Sequence, residues 1–369
     1  VDDLTTQPAP ATDAETLAHG PVPLWVGTYP HAGIGTEAGL GEGIWRVDLD
    51  PATGALGEPR LVVETPAPSF VVAHPSGAVV HAVAEDAPGT VTAFAVQEDG
   101  GLAPTVTVPV GGTHPCHLLL ADDVLHVACY TDGVLAVLPL APDGTYATEV
   151  LETGTPAQVF RHEGSGPVTD RQEGPHAHFV AVTPDRRHVL VADLGTDELR
   201  RYARAADGTL TADGVAASLP PGTGPRHLAF APDARHLYVV GELDAAVHVL
   251  AWDAAAATGA PVAAVPAVDA ALAGGAAPSP SHVLLEGDRL VLGVRGADVL
   301  TAYPVAADGS LGAGASARLR GRTPRHHEVV ADWTVVALQE SHAVVVVDHD
   351  GTEVGRASIP SPACVARVR

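Results

Sequence analysis

The 369-residue chain contains no lysine, no asparagine and no methionine, so all 20 of its basic residues are arginine. Without lysine there is no Schiff-base chemistry, no anchored pyridoxal phosphate and no lysine-closed phosphate loop. The same bias, with few isoleucines and abundant Ala, Gly, Pro, Val and Arg, points to an extremely G+C-rich coding sequence of the kind found in actinobacteria. Cysteine is scarce too: Cys116, Cys129 and Cys364 are odd in number and share no C-x-x-C spacing. Neither a disulfide framework nor a zinc site is expected, and a cytoplasmic address follows by default. No run of about 18 apolar residues is present, which removes a membrane-spanning helix. Positive charge is in deficit, 20 basic against 44 acidic residues for a formal net charge of −24. Such a surface disfavours nucleic acid and anionic membranes. The expected partner is instead a small anionic molecule, held where arginines gather locally. No cofactor and no metal are expected, and the chain is read as a monomer or weak homodimer.

What the sequence does have is self-similarity. A short apolar run, entered through a Pro, Ser or His step, is followed by a turn and a second apolar run. Copies are PSFVVAHPSGAVVHAVAE, PCHLLLADDVLHVACY, AHFVAVTPDRRHVLVADLGTD, PRHLAFAPDARHLYVVGEL, PSHVLLEGDRLVLGVRG and PRHHEVVADWTVVALQES, with PACVARVR as a truncated seventh. Aligned, they place Ser69, Cys116, His178, Arg226, Ser281, Arg325 and Ala363 in one column. The repeat is of propeller-blade size, roughly 40–50 residues. Each full copy is followed by a third alternating run, such as VTAFAV, ELRRYA, AVHVLAW or VLTAYPV, and often by a D-G or G-type turn, as antiparallel strands require. Helical periodicity is nearly absent; only AWDAAAATGA (251–260) suggests a turn of helix. The expected fold is an all-β, seven-bladed β-propeller. The last strand, over 363–368, completes a blade whose other three strands are LWVGTY, GIWRVDL and RLVVE near the N-terminus, which closes the ring and removes exposed edges. Residues 1–22 read as a flexible polar tail and 23–369 as a single domain.

In such a blade the start of the first strand and the end of the second lie at the same mouth of the central channel. First-strand starts bring Cys116, His178, Arg226 and Arg325, with His117, His227, His282 and His326 one step later. Second-strand ends bring Glu85, Asp193, Glu242, Arg295 and Gln339. The longest entering loop, roughly 154–176, carries Arg161, His162, Arg171, Glu173 and His176. The opposite mouth carries ordinary solvated charges. Two arginines beside a carboxylate and a histidine can clamp an anion and move a proton. Cys116 has no evident base to activate it and is read as a packed thiol.

The segments GSGPVTDRQEGPHAH, VADLGTDELRRY, GTGPRHLAF and VGEL, with VGTY, GIWRVDLDPATGAL, VRG and ALQES, resemble the seven-bladed propeller lactonases. That family includes bacterial 6-phosphogluconolactonases and fungal carboxy-cis,cis-muconate cyclases. The likeness implies a lactone or carboxylate pocket at the channel mouth. It also implies four catalytic residues: His178, six residues before Pro184; Arg226 of GPRH; Glu242, sixteen residues on; and Arg295, ending the next blade's second strand. His176, Arg171, Arg325, His227, Glu85 and Gln339 are the expected substrate contacts. One departure is that family members commonly carry Asn just before several rim positions, where this chain has Ala84, Cys129, Gly241, Val294 and Leu338. The expected activity is hydrolysis of a small anionic lactone such as 6-phosphogluconolactone, with His178 or Glu242 as the base. The alternatives are a carboxymuconate-type cycloisomerase and a non-catalytic propeller that binds a partner protein through its rim.

Overall fold

The computed structural model describes residues 20–29, 41–273 and 276–368. The polar tail expected at the N-terminus therefore lies, up to residue 19, outside the described residues. Among these residues twenty-eight strands, β1–β28 in chain order, form seven four-stranded antiparallel sheets. Blades two to seven run in simple order: β4–β7 from Val71, β8–β11 from Pro115, β12–β15 from Ala177, β16–β19 from Pro225, β20–β23 from Ser279 and β24–β27 from Pro324. Blade one mixes the chain's two ends in the order β28, β1, β2 (Gly43–Leu49) and β3 (Arg60–Glu64). There β28 (Pro362–Ala366) pairs with β1 (Val22–Thr28) through Trp25↔Ala366, Val26↔Val365 and Gly27↔Cys364.

Burial is lowest in the outermost strand of every blade, which sets the strand patterns. The third strand β26 (Ala343–Val347, AVVVV) is buried at every residue because blades cover both of its faces. The outermost β27 (Glu353–Ser358) alternates toward solvent, as a half-buried edge strand should. Apolar side chains from facing sheets form seven separate clusters, one for each pair of adjacent blades. A linear array of seven sheets would have only six such interfaces. The seventh joins Leu24 and Val26 of blade one to Val335 and Val346 of blade seven, so the ring is closed.

The sequence predicts a helical turn over 251–260, and the structure corrects this. Strand β18 (Ala246–Asp253) turns directly into β19 (Thr258–Pro266), pairing Ala251↔Ala260 and Asp253↔Thr258. The Asp253 carboxylate accepts the Ala255 and Ala256 amides at 2.9 and 3.1 Å and caps that turn. Ladder pairing and burial of Trp252 outweigh the helix propensity of the alanines. The one α-helix among the described residues is instead the short α1, Thr148–Thr153. No helix among the described residues is long and apolar enough to cross a membrane.

Candidate functional site

At the channel mouth two local devices recur from blade to blade. The residue just after the second strand donates its amide to the carbonyl that precedes the first strand. Tyr29 pairs this way with Ser361, Glu85 with Ala67, Tyr130 with His114, Glu242 with Gly224 and Gln339 with Thr323, at 2.9–3.1 Å. These bonds aim one side chain per blade over the channel. The second device is a register shift at the start of the innermost strand. It occurs at Pro115/His117, Ala177/Phe179, Pro225/Leu228, Pro280/Val283 and Pro324/His326, and opposite Gly27/Thr28 in blade one. Each shift is a β-bulge, in which an extra residue leaves the ladder and its side chain is re-aimed. The extra residues include Cys116, His178, Arg226, Ser281, Arg325 and Ala363, the column that the repeats define.

Three guanidinium groups converge on one carboxylate. Glu242 Oε2 lies 2.8 Å from Arg226 Nε and 3.0 Å from Arg295 Nη2, and Oε1 accepts from Arg171 Nη2 at 2.8 Å. The Arg226 contact is an ion pair whose angle falls outside hydrogen-bond geometry. Burial alone would raise the Glu242 carboxyl, but Arg295 and then Arg226 outweigh it and hold it well below the usual range. Burial, with Arg295 beside it, pushes Arg226 down to about 9, so it stays charged at neutral pH. Arg226 Nη1 also donates to Ser281 O at 2.8 Å, and Arg295 Nη2 donates to Ser279 Oγ at 2.8 Å. Three positive charges against one negative leave this corner of an otherwise acidic protein with a surplus of two.

Beside it stands a balanced cluster. The Tyr29 hydroxyl donates to Glu85 Oε1 at 2.6 Å, Ser69 donates to Glu85 Oε2, and Arg325 donates to Tyr29 and, at 3.2 Å, to Gln339 Oε1. A cavity of about 20 Å³ is bordered by members of both clusters, among them Ser69, Glu85, His178, Arg226 and Arg325. His178 is buried, with Nδ1 3.9 Å from Cys116 Sγ and its ring edge-on to Tyr130. Burial, then the charge of Arg226, hold its pKa well below the ordinary histidine value, so it is a neutral imidazole. Burial pushes the Cys116 thiol far up, consistent with a packed thiol rather than a thiolate nucleophile.

The entering loop is braced by the two most distinctive motifs. Asp193, fully buried, accepts from the His176 amide at 2.8 Å, from the Gly195 amide at 3.1 Å and from His162 Nδ1 at 2.7 Å. Gln172 spans to Leu194 O at 2.9 Å and Asp197 Oδ1 at 2.8 Å. This scaffold carries Arg171 to Glu242 and lays His176 flat on Tyr130, with ring centres 4.4 Å apart. Asp193, expected on the rim, is one residue out of step with it, since Leu194 occupies the rim register. Arg161, expected on the loop, lies on the outer strand β11 (Gln158–Arg161) and donates to Gly111 O at 2.7 Å. A Cβ on Gly195 would sit 1.9 Å from Gly174 O. The Gly195→Ala variant should therefore lose about 1 kcal/mol or more of stability and some activity, as the loop bearing Arg171 moves. Thermal unfolding together with kcat/KM checks this.

His117, His227, His282 and His326, with Phe70 and Phe179, form a belt of rings across the channel, with centres 4.1–5.7 Å apart. The opposite mouth is more than a solvated rim. It opens into a chamber of about 740 Å³ walled by Val72, Leu120, Leu285 and the Glu328–Arg367 pair, whose charged atoms are 3.7 Å apart.

All four expected catalytic residues meet at the first mouth, around Glu242 and the small cavity beside it, along with Arg171, Arg325, His227, Glu85 and Gln339, while His176 stands next to them on Tyr130. Sequence reasoning missed Tyr29 and Tyr130, although both end second strands in the same register as Glu85 and Glu242. It also missed Ser69 and Ser281 as hydrogen-bonding members of the first-strand column. No group of three or more His, Cys, Asp or Glu side chains among the described residues is arranged to hold a metal ion.

Comparison with known proteins fits this geometry. The 6-phosphogluconolactonase of Bacillus subtilis is 30% identical over 355 residues, covering 92% of this chain and 97% of that protein. The 6-phosphogluconolactonase of Pectobacterium carotovorum is 30% identical over 223 residues, 60% of this chain and 61% of that one. The solved periplasmic gluconolactonase of Pseudomonas aeruginosa superposes with a TM-score of 0.82 at 26% identity, covering 94% of this chain and 98% of that one. A family model described as lactonase, seven-bladed β-propeller, matches residues 23–366, and the chain belongs to that family of lactonases.

Proposed function

We propose that this lactonase hydrolyses a small sugar lactone carrying a dianionic group, with 6-phosphogluconolactone as the first substrate to test. The observation that carries the reading is the charge surplus. Three guanidinium groups share the Glu242 carboxylate, two of them largely buried and Arg171 partly open to solvent, and their surplus of two positive charges favours a dianion over a neutral sugar. The neighbouring Glu85–Tyr29–Ser69–Arg325–Gln339 network is balanced and suits hydroxyl groups.

His178 is the better base of the two candidates, since Glu242 is held anionic by its arginines and binds a proton only weakly. Burial depresses His178 most and the Arg226 charge next, and an anion on those arginines offsets the second of these and raises its basicity. In this mechanism His178 takes a proton from water as the water oxygen bonds to the lactone carbonyl carbon. Arg226 and Arg295 stabilise the resulting oxyanion. The intermediate collapses by breaking the ring C–O bond, and His178 returns its proton to the leaving alkoxide. The open-chain acid then loses its own proton to solvent. Three free cysteines, Cys116, Cys129 and Cys364, support a reducing cytoplasmic address.

The test is a pH-stat assay on 6-phosphogluconolactone and on the unphosphorylated lactone. The expected result is kcat/KM at least about tenfold higher for the phosphorylated substrate, the effect of one charge-assisted contact. Equal turnover of both would remove the dianion from the reading. Turnover of neither, with loss of carboxymuconate absorbance instead, would turn the same pocket to cyclisation.

A further inference from the structure

Arg226 owes its position to more than Glu242. Its Nη1 lies 3.1 Å from His227 Nε2, and His227 Nδ1 lies 2.8 Å from His282 Nδ1. A guanidinium can only donate, so His227 must present a lone pair at Nε2 and carry its proton at Nδ1. That proton is the one shared with His282, whose Nδ1 must then accept and whose own proton must sit on Nε2. A single arginine thus dictates the tautomers of two successive rings.

The other rings of the belt are set differently. His117 Nδ1 accepts the Val180 amide at 3.2 Å and His326 Nδ1 accepts the Val365 amide at 3.3 Å, so each carries its proton on Nε2. His227 is the exception among the four. It sits 3% exposed between two neighbouring first strands, where burial followed by the Arg226 charge keeps its pKa well below the ordinary value. A neutral, buried acceptor of fixed orientation is what a guanidinium needs to be held in one pose.

We infer that His227, backed by His282, is a positioning residue that locks the Arg226 guanidinium through a forced Nδ1–H tautomer. This rests on the proposed function only in giving Arg226 an anion to bind. With both Nη1 hydrogens committed, to His227 and to Ser281 O, the guanidinium plane cannot swing. Its second terminal nitrogen is then presented in a fixed direction. Arg226 binds; His227 and His282 aim it.

The test uses the full chain with ¹⁵N-labelled histidine and inorganic phosphate as the probe. Two-bond ¹⁵N–¹H correlation spectra should show one belt histidine, lost in His227→Phe, in the Nδ1–H form beside neighbours in the Nε2–H form. His227→Phe should weaken phosphate binding, read by calorimetry, about tenfold, the effect of losing one hydrogen bond to a charged group. His227→Gln can accept from Arg226 through Oε1 and donate to His282 through Nε2, and should stay within about threefold of the parent. An Nε2–H tautomer at His227, or phosphate binding by His227→Phe equal to the parent, would overturn the inference. Should that variant fail to fold, the tautomer is still decided in the unaltered protein, by assignment through His227→Gln. If the tautomer and binding pattern hold while no lactone is turned over, the positioning role stands and the proposed activity falls.

Discussion

Replacing Arg226 with alanine is expected to lower kcat/KM on the phosphorylated lactone by about 10²–10³, the usual effect of removing one preorganised oxyanion donor. The expectation rests on position. Arg226 is 3% exposed and remains charged at neutral pH even though burial draws it down to about 9. It contacts Glu242, Ser281 O and His227 at 2.8–3.1 Å and lines the cavity that His178 also lines. Its removal leaves Glu242 still paired with Arg295 and Arg171, so the carboxylate does not become a buried unpaired charge. The fold should therefore survive, and the loss should fall on the reaction rather than on thermal stability. Arg226→Lys should recover little, because an ammonium on a flexible stem cannot meet three partners in a planar fork. Steady-state kinetics beside a melting curve decide the matter. Activity within tenfold of the parent on a confirmed substrate would take Arg226 out of the mechanism.

Glu242→Gln should act in the opposite way, on stability first. The amide keeps the shape of the side chain but leaves three guanidinium groups facing one another without their shared counter-charge. Stripping one partner from a buried ion pair costs about 3–5 kcal/mol. Arg171, 40% exposed along its side chain, will relax toward water and reduce that figure. The melting temperature should drop by several degrees. More telling, added phosphate should restore it by more than it stabilises the parent, since the anion takes the place of the missing carboxylate and ligand stabilisation grows with occupancy. Melting curves across a phosphate series read both effects. An unchanged midpoint, with no added phosphate response, would mean that the arginines do not need Glu242 as a counter-ion.

Much of this arrangement was legible in the residues alone. Period-two alternation located runs such as VTAFAV and ELRRYA within one residue of β6 (Thr90–Val96) and β14 (Glu198–Arg204). The truncated copy PACVARVR announced the closing strand β28. What stayed hidden depended on three-dimensional register or on long loops. Arg171 reaches Glu242 across 71 residues of sequence, through a loop whose course is set by Gln172 and Asp193 rather than by any periodicity. Asp193 was expected over the channel because one step of alternation separates a rim residue from one that turns away. The alanine-rich stretch at 251–260 misled because propensity yields to ladder pairing inside a packed blade.

The bulge at the head of nearly every innermost strand bears on how such an enzyme changes its chemistry. Because the extra residue stands outside the ladder, its identity is uncoupled from the sheet that carries it. Cys, His, Arg, Ser, Arg and Ala occupy these places in six of the seven blades, like sockets in a common frame. Exchanging one occupant alters the catalytic equipment while sparing the hydrophobic interior, so new substrates become reachable by single steps that leave the scaffold whole.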